Sequence, residues 1–233
     1  IVAGYQNSIV LTEDGHMYYF GNTMNNDVDL FHPYQGQLKK VVVTADAVIG
    51  LTFDGEAVYL GSEKNAYTRV PENMGNVIDI SSTAATIAAV NDQNEIFVWG
   101  NISSKGEGRI PEEIDGNIVS IQGGRYHYTI LTDTGKTYAW GDNTYKQATV
   151  PHSLESANID KVYTGYYQNY AIDSSGKIKT WGLKGYLFGS DDIGRDIFTR
   201  LLNGGRMSMT IGAVAVIIST VIGVIIGGVS GYF

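Results

Sequence analysis

The stretch "LTEDGHMYYFG" (Leu11–Gly21) returns four times along the chain. It reappears as "LTFDGEAVYLG" (Leu51–Gly61), "VNDQNEIFVWG" (Val90–Gly100), "LTDTGKTYAWG" (Leu131–Gly141) and "IDSSGKIKTWG" (Ile172–Gly182). The closing glycines lie 40, 39, 41 and 41 residues apart. A fixed period of this length restricts the fold to stacked units, because one such unit cannot bury both of its faces alone. Gly15, Gly55, Asn94, Gly135 and Gly176 sit where a tight hairpin demands a positive φ. Alternation after the turn sends Tyr18, Val58, Phe97, Tyr138 and Lys179 to one face and Tyr19, Tyr59, Val98, Ala139 and Thr180 to the other. Phe20, Leu60, Trp99, Trp140 and Trp181 precede the closing glycines and read as packing residues between neighbouring sheets. A second strand pair precedes each turn, as in "IVSIQGGRYHYTILT" (Ile118–Thr132). The pattern predicts an all-β propeller with units of about 40 residues over residues 1–182.

"VPENMGNVIDI…FVWGN" and "IVSIQGGRYHYTILTDTGKTYAWGDNTYKQATVP" resemble the repeats of the regulator of chromosome condensation superfamily, in its short bacterial form. Gly124, His127, Gly135, Trp140, Gly141, Asn143 and Gln147 fill the family pattern in the fourth copy. In the second and third copies Thr44 and Thr83 replace the blade-opening glycine, and Ala47 and Thr86 replace the histidine. The resemblance implies that the five repeats are part of a seven-bladed ring, or form an unusual one. It does not state a function, since propellers of this kind are general binding scaffolds.

Charge narrows the partners. Residues 1–182 hold 12 Lys+Arg and 21 Asp+Glu, a net −9, whereas residues 183–233 hold 4 and 3, a net +1. No basic stripe for nucleic acid is present, so neither DNA nor RNA is an expected partner. The chain has no cysteine, and His16, His32, His127 and His152 are scattered without metal-ligand spacing. With no nucleophile–base pair and no phosphate loop, neither an enzyme nor a cofactor is expected. The candidate binding face is Tyr5, Tyr126, His127, Tyr166 and Tyr167, beside the blade-opening position, where repeated loops gather at one end of a propeller. Such tyrosines suit a peptide or a partner protein, although tyrosine is also a common strand residue. His127 shares its repeat position with Asn7 and Gln168 and reads as a structural hydrogen-bonding group.

The last fifty residues break the pattern. "MSMTIGAVAVIISTVIGVIIGGV" (Met207–Val229) holds 23 residues without a charge. As a helix it extends roughly 35 Å, enough for a hydrocarbon core of ~30 Å. Gly223, Gly227 and Gly231 are spaced for close approach of another helix. Upstream, Ser190, Asp191 and Asp192 read as a helix start rather than a calcium site. Ile193, Ile197, Leu201 and Leu202 then predict an amphipathic helix at the membrane surface within residues 183–206, ending in a corner at Gly204–Gly205. The span follows over residues 207–233.

The same segment, "LFGSDDIGRDIFTRLLNGGRMSMTIGAVAVIISTVIGVIIGGVSGYF", resembles the C-type permease subunit of dipeptide and oligopeptide ABC transporters just before and through its second membrane helix. Gly189, Asp191, Gly194, Arg195, Asp196, Arg200 and Arg206 match the family motif. The resemblance implies a multi-pass subunit of a bacterial cell membrane, carrying the propeller as an extracytoplasmic insertion. Its implied partners are a second permease subunit, separate ATPase subunits, an extracytoplasmic substrate-binding protein and a peptide solute. Arg195, Arg200 and Arg206 point the other way, since positive charge beside a span favours the cytoplasm. The competing expectation is a cell-surface propeller held by a single transmembrane anchor.

Overall fold

The structure, a computed structural model, describes all residues except 5, 23–31, 62–64, 156, 184, 187, 192 and 194 and the side chain of 155. It divides into two compact units, Ile1–Lys184 and Gly185–Phe233.

The first unit is a β-propeller of five three-stranded antiparallel sheets. They are β1 (Val2–Ala3), β2 (Asn7–Leu11) and β3 (Met17–Gly21), then β4 (Leu38–Val43), β5 (Val48–Thr52) and β6 (Ala57–Tyr59). β7 (Val77–Ser82), β8 (Thr86–Asn91) and β9 (Ile96–Gly100) make the third blade. β10 (Ile118–Gly123), β11 (His127–Thr132) and β12 (Thr137–Gly141) form the fourth, and β13 (Ile159–Thr164), β14 (Gln168–Asp173) and β15 (Ile178–Gly182) the fifth. The two strand pairs expected in each repeat thus share their middle strand. Every hairpin closes on the predicted residue, with φ of 83° at Gly15, 80° at Gly55, 67° at Asn94, 76° at Gly135 and 78° at Gly176.

The alternation of each outer strand becomes packing between blades. Val58, Phe97 and Tyr138 join the clusters shared with the preceding blade, while Tyr59 and Val98 join those shared with the following one. Leu60, Trp99, Trp140 and Trp181 are all buried between blades, each contributing about 1.5–3 kcal/mol or more of apolar burial. Phe20 departs from the expectation: it is 56% exposed. The indoles of Trp140 and Trp181 also donate to the carbonyls of Glu107 (2.8 Å) and Gln147 (3.0 Å), pinning the incoming linkers.

At the other end of each sheet the chain turns from first to second strand. The backbone N–H of Gly4, Thr44, Thr83, Gly124 and Gly165 donates to the carbonyl three residues on, at 2.8–2.9 Å. Successive turns are then tied together, Ala45 N–H to Ala84 O (3.0 Å), Ala84 N–H to Arg125 O (3.0 Å) and Arg125 N–H to Tyr166 O (3.1 Å). The opening turns of the second to fifth blades therefore form one continuous ladder about the propeller axis.

The second unit is dominated by one helix, α2 (Ile197–Tyr232), where α1 is the four-residue turn His152–Glu155 of the propeller. At 1.5 Å per residue α2 is about 54 Å long. It begins later than the sequence suggests. Asp196, not Ser190, is the cap: its carboxylate accepts from the amides of Phe198 (3.0 Å) and Thr199 (3.3 Å). Nor does the helix turn at Gly204–Gly205, so residues 206 and 207 lie in one element rather than at a boundary. Two glycines cost a helix about 1 kcal/mol each, which the strong helix formers on either side, Leu201, Leu202, Met207 and Met209, offset. Ile193, Leu201 and Leu202 are exposed, as is the apolar stretch after Met207.

Candidate functional site

The ladder of opening turns lines a cavity of about 720 Å³ on the propeller axis. Its wall is made by the last residues of β1, β4, β7, β10 and β13 and the turns that follow them. One side of the rim is aromatic and cationic. Arg125 lies amid three rings, its guanidinium carbon 5.6 Å from the centre of Tyr126, 5.7 Å from Tyr166 and 5.6 Å from Tyr167. Its Nη1 donates to the Tyr167 hydroxyl. Burial pulls the Arg125 pKa down, but this hydrogen bond and the neighbouring tyrosines raise it by more, so the side chain stays charged. Lys105 Nζ sits 4.1 Å from the centre of the Tyr126 ring and 3.8 Å from Asp142 Oδ2. Tyr145 meets Tyr167 edge-on at 5.2 Å, and Tyr167 meets Tyr166 at 5.9 Å. Such cation–π stacks hold a charged side chain and flat apolar surface in one place, suited to gripping an extended chain or a planar group.

The repeat explains the placement. Tyr126 and Tyr167 hold the same position in the fourth and fifth blades, and their carbonyls accept from Asp142 N–H and Leu183 N–H, both at 2.8 Å. The linker after the third blade is held likewise, Asn101 N–H donating to the Ala85 carbonyl (2.8 Å), and the linkers after the third and fourth blades bring Lys105 to Tyr126 and Tyr145 to Tyr167.

Of the sequence-predicted face, Tyr126, Tyr166 and Tyr167 come together here. Tyr5 lies outside the described residues. His127 is fully buried beneath the rim, with Nε2 2.9 Å from Asn169 Oδ1 in the next blade. Asn169 Nδ2 donates to the Gln147 carbonyl (2.8 Å), so its Oδ1 must accept, and the histidine is the Nε2–H tautomer. Burial lowers the His127 pKa, opposed by the bond to Asn169 and the charge of Asp142. Sequence reasoning missed Arg125, Lys105 and Tyr145. The signal for Arg125 was its register with Tyr166, one residue past the opening glycine, and for the other two their place in the linker after Gly100 and Gly141.

A second cluster stands at the head of α2. Asp191 accepts from the backbone N–H of Ile193 (3.2 Å) and Arg195 (2.8 Å), from Arg195 Nε (2.7 Å) and from Arg200 Nη1 (2.5 Å). Desolvation pushes its pKa up, but these donors outweigh it and hold the carboxyl at about 2. Gly189 allows the turn into this clamp with φ 74°. Asp191, Arg195, Asp196 and Arg200 are thus gathered in one loop and helix cap, Arg206 stands apart on the exposed helix, and Gly194 lies outside the described residues. Among the described residues no group of three or more acidic or histidine side chains is placed to hold a metal ion.

The fold and the rim define a β-propeller scaffold, joined in sequence to a helix apolar and long enough to cross a membrane. Comparison with known proteins divides at the same point. The family described as the regulator of chromosome condensation (RCC1) repeat matches residues 118–147, the fourth blade and the linker after it. In structure the propeller resembles Prp20p of Saccharomyces cerevisiae (TM-score 0.62, 15% identity, 83% of this chain and 62% of that one). It also resembles the ectodomain of the Physcomitrella patens receptor kinase CR4 (TM-score 0.59, 17% identity, 78% of this chain and 51% of that one). The C-terminal segment is similar to the dipeptide transport system permease protein DppC of Bacillus subtilis, 53% identical over 45 residues. It is 49% identical over 49 residues to the oligopeptide permease protein OppC of the same organism. These matches cover 19% and 21% of this chain and only 14% and 16% of the two permeases.

Proposed function

We propose that this chain is part of the membrane permease of a peptide-class ABC importer, with its propeller serving as an extracytoplasmic binding module. The observation that carries the reading is the coincidence of sequence and geometry at the head of α2. The residues matching the permease motif are those that build the Asp191 clamp and the Asp196 cap in front of an uncharged span. The rim around Arg125 supports a binding role, since exposed aromatic and arginine side chains are the usual anchors of recognition surfaces. In this arrangement α2 contributes to the translocation bundle, ATP hydrolysis is supplied by separate subunits, and the propeller holds the peptide or the substrate-binding protein.

The test is uptake of a labelled dipeptide by bacteria in which the gene that encodes this chain replaces their own C-type peptide permease subunit. Uptake that requires Asp191 and is reduced by Arg125→Ala supports the proposal. Absence of uptake, with the protein folded and present in the membrane, overturns it. A second reading, a surface propeller held by this one anchor, draws on the fact that rim and span each suffice for it. It predicts ligand binding by intact cells without transport.

A further inference from the structure

An unpaired strand edge lies on the circumference of the propeller, away from the axis. β12 is hydrogen-bonded on one side, to β11. Thr132 N–H donates to Lys136 O (2.9 Å), which makes residues 132 and 136 a bonded pair. Bonded and non-bonded pairs alternate in an antiparallel ladder, so the N–H and C=O of Thr137 and Ala139 point outward from the sheet. In the first blade the equivalent residue is Met17, and there the chain satisfies the edge itself. Met17 N–H donates to Gln35 Oε1 (2.7 Å) and Gln35 Nε2 donates to Met17 O (2.9 Å), as a neighbouring strand would. No described residue does this for Thr137. Beside it instead lies a cleft of about 530 Å³, walled by Pro111, Tyr138, Ala139, Val150 and Leu154.

Two further features describe what fits. Thr137 Oγ1 is shut off from solvent and has no hydrogen-bond partner, a deficit that a hydroxyl or amide opposite it on an added strand relieves. Charge beside the cleft favours cations: the linker that reaches it at Pro111 continues into Glu112 and Glu113, both exposed and in no ion pair among the described residues, while Lys136, which lines the cleft, is paired with Asp115. We infer that the outer edge of β12 and its cleft dock an extended peptide segment bearing basic side chains, which adds to the fourth blade as a further strand. The inference is independent of any transport role and of the axial rim.

The test titrates the full chain in detergent micelles with acetyl-Lys-Val-Thr-Val-Lys-amide by calorimetry. Two N-methylated versions, blocked on residues 2 and 4 or on residues 1, 3 and 5, are run beside it. Alternate amides of a strand face one edge, so one version is expected to bind about tenfold or more weakly and the other within about threefold of the parent. Thr137→Pro, which removes an outward N–H, and Val150→Trp, which fills the cleft, are each expected to weaken binding about tenfold. Tyr166→Ala at the axial rim is expected to leave it unchanged. Absence of saturable binding, equal loss with both methylated peptides, indifference to both edge variants, or loss in Tyr166→Ala each overturns the inference.

Discussion

Gly124→Thr tests the claim that opening turn and blade core are one packing unit. The backbone there is not left-handed, so the substitution acts through space alone. A Cβ on Gly124 would stand 2.2 Å from His127 Cε1, 2.6 Å from His127 Nδ1 and 2.6 Å from the Gly165 carbonyl. The ring cannot swing clear, because it is fully buried and bonded to Asn169 of the fifth blade. Overpacking of this kind costs about 2–3 kcal/mol. In a domain of this size that lowers Tm by about 4–12 °C. Blades two and three carry threonine at this position without penalty because the residue three positions on is short. Thr83 Oγ1 lies 2.8 Å from Thr86 Oγ1, which lies 2.8 Å from the Tyr128 hydroxyl. Gly4 follows the glycine rule, since a Cβ there would meet Asn7 Oδ1 at 2.0 Å.

The companion change His127→Thr also destabilises alone, since it leaves Asn169 Oδ1 without a donor at a cost of about 1–3 kcal/mol. In the double variant the threonine pair of the third blade is reproduced, so the losses are expected to fall short of additivity by about 1–2 kcal/mol. The assay is thermal unfolding of the full chain in detergent micelles, followed by the fluorescence of Trp140 and Trp181. Strict additivity, or a Gly124→Thr Tm within 2 °C of the parent, on the order of the smallest shift 1 kcal/mol gives, would refute the reasoning.

Three other outcomes follow from the same geometry. His127 has a folded pKa below the ordinary 6.5 of an unfolded histidine, so the unfolded chain binds the proton more tightly. Tm is expected to fall as pH drops below about 6.5, and His127→Asn to flatten that slope in melts run from pH 7.5 to 5. Asp191 is depressed to about 2, so its contribution is present above the unfolded value of 3.8 and is lost only as pH falls through about 2. In Asp191→Asn the amides of Ile193 and Arg195, which donate to that carboxylate, are expected to exchange hydrogen about tenfold faster at neutral pH. Ile218→Arg places a charge near the middle of the span at a cost of about 3 kcal/mol. It is expected to shift the protein from the carbonate-resistant membrane fraction to the supernatant, and unchanged resistance would contradict the membrane assignment.

The propeller was legible because its signal is redundant. Each hairpin glycine, pre-glycine tryptophan and period-two strand recurs at the same spacing, and all demand the same stacked sheets. The start of α2 was not, because Ser190, Asp191, Asp192 and Asp196 all have capping chemistry and the sequence does not rank them. Three-dimensional demand decides it: Asp191 is engaged by Arg195 and Arg200, which leaves Asp196 to cap. The continuity of the helix through Gly204–Gly205 was hidden for a related reason. A glycine pair is a permission to turn, and no packing in the second unit takes it up. The binding rim was half legible, since tyrosines at a repeat position announce themselves, whereas Arg125, Lys105 and Tyr145 matter only once linkers and turns are laid side by side.

The substitutions that made the second and third copies look weak also shape the axial cavity. Where the opening residue is glycine, the next position in the sequence is Tyr5, Arg125 or Tyr166. Where it is threonine, that position holds Ala45 or Ala84. The ladder of backbone hydrogen bonds is the same in both cases, because it uses no side chain. Blades can therefore exchange a large rim for a small one without disturbing the ring's inner seam. The second and third blades line the cavity with threonine and alanine, while the fourth and fifth present a guanidinium among tyrosines. Among the described residues, bulk and charge at the rim of this cavity come from the fourth and fifth blades. That asymmetry arises from turns in which glycine faces a long residue three positions on, as at Gly4 with Asn7 and Gly124 with His127, and threonine faces a short one, as at Thr44 with Ala47 and Thr83 with Thr86. It lets a fold of near-identical repeats present a surface with a direction.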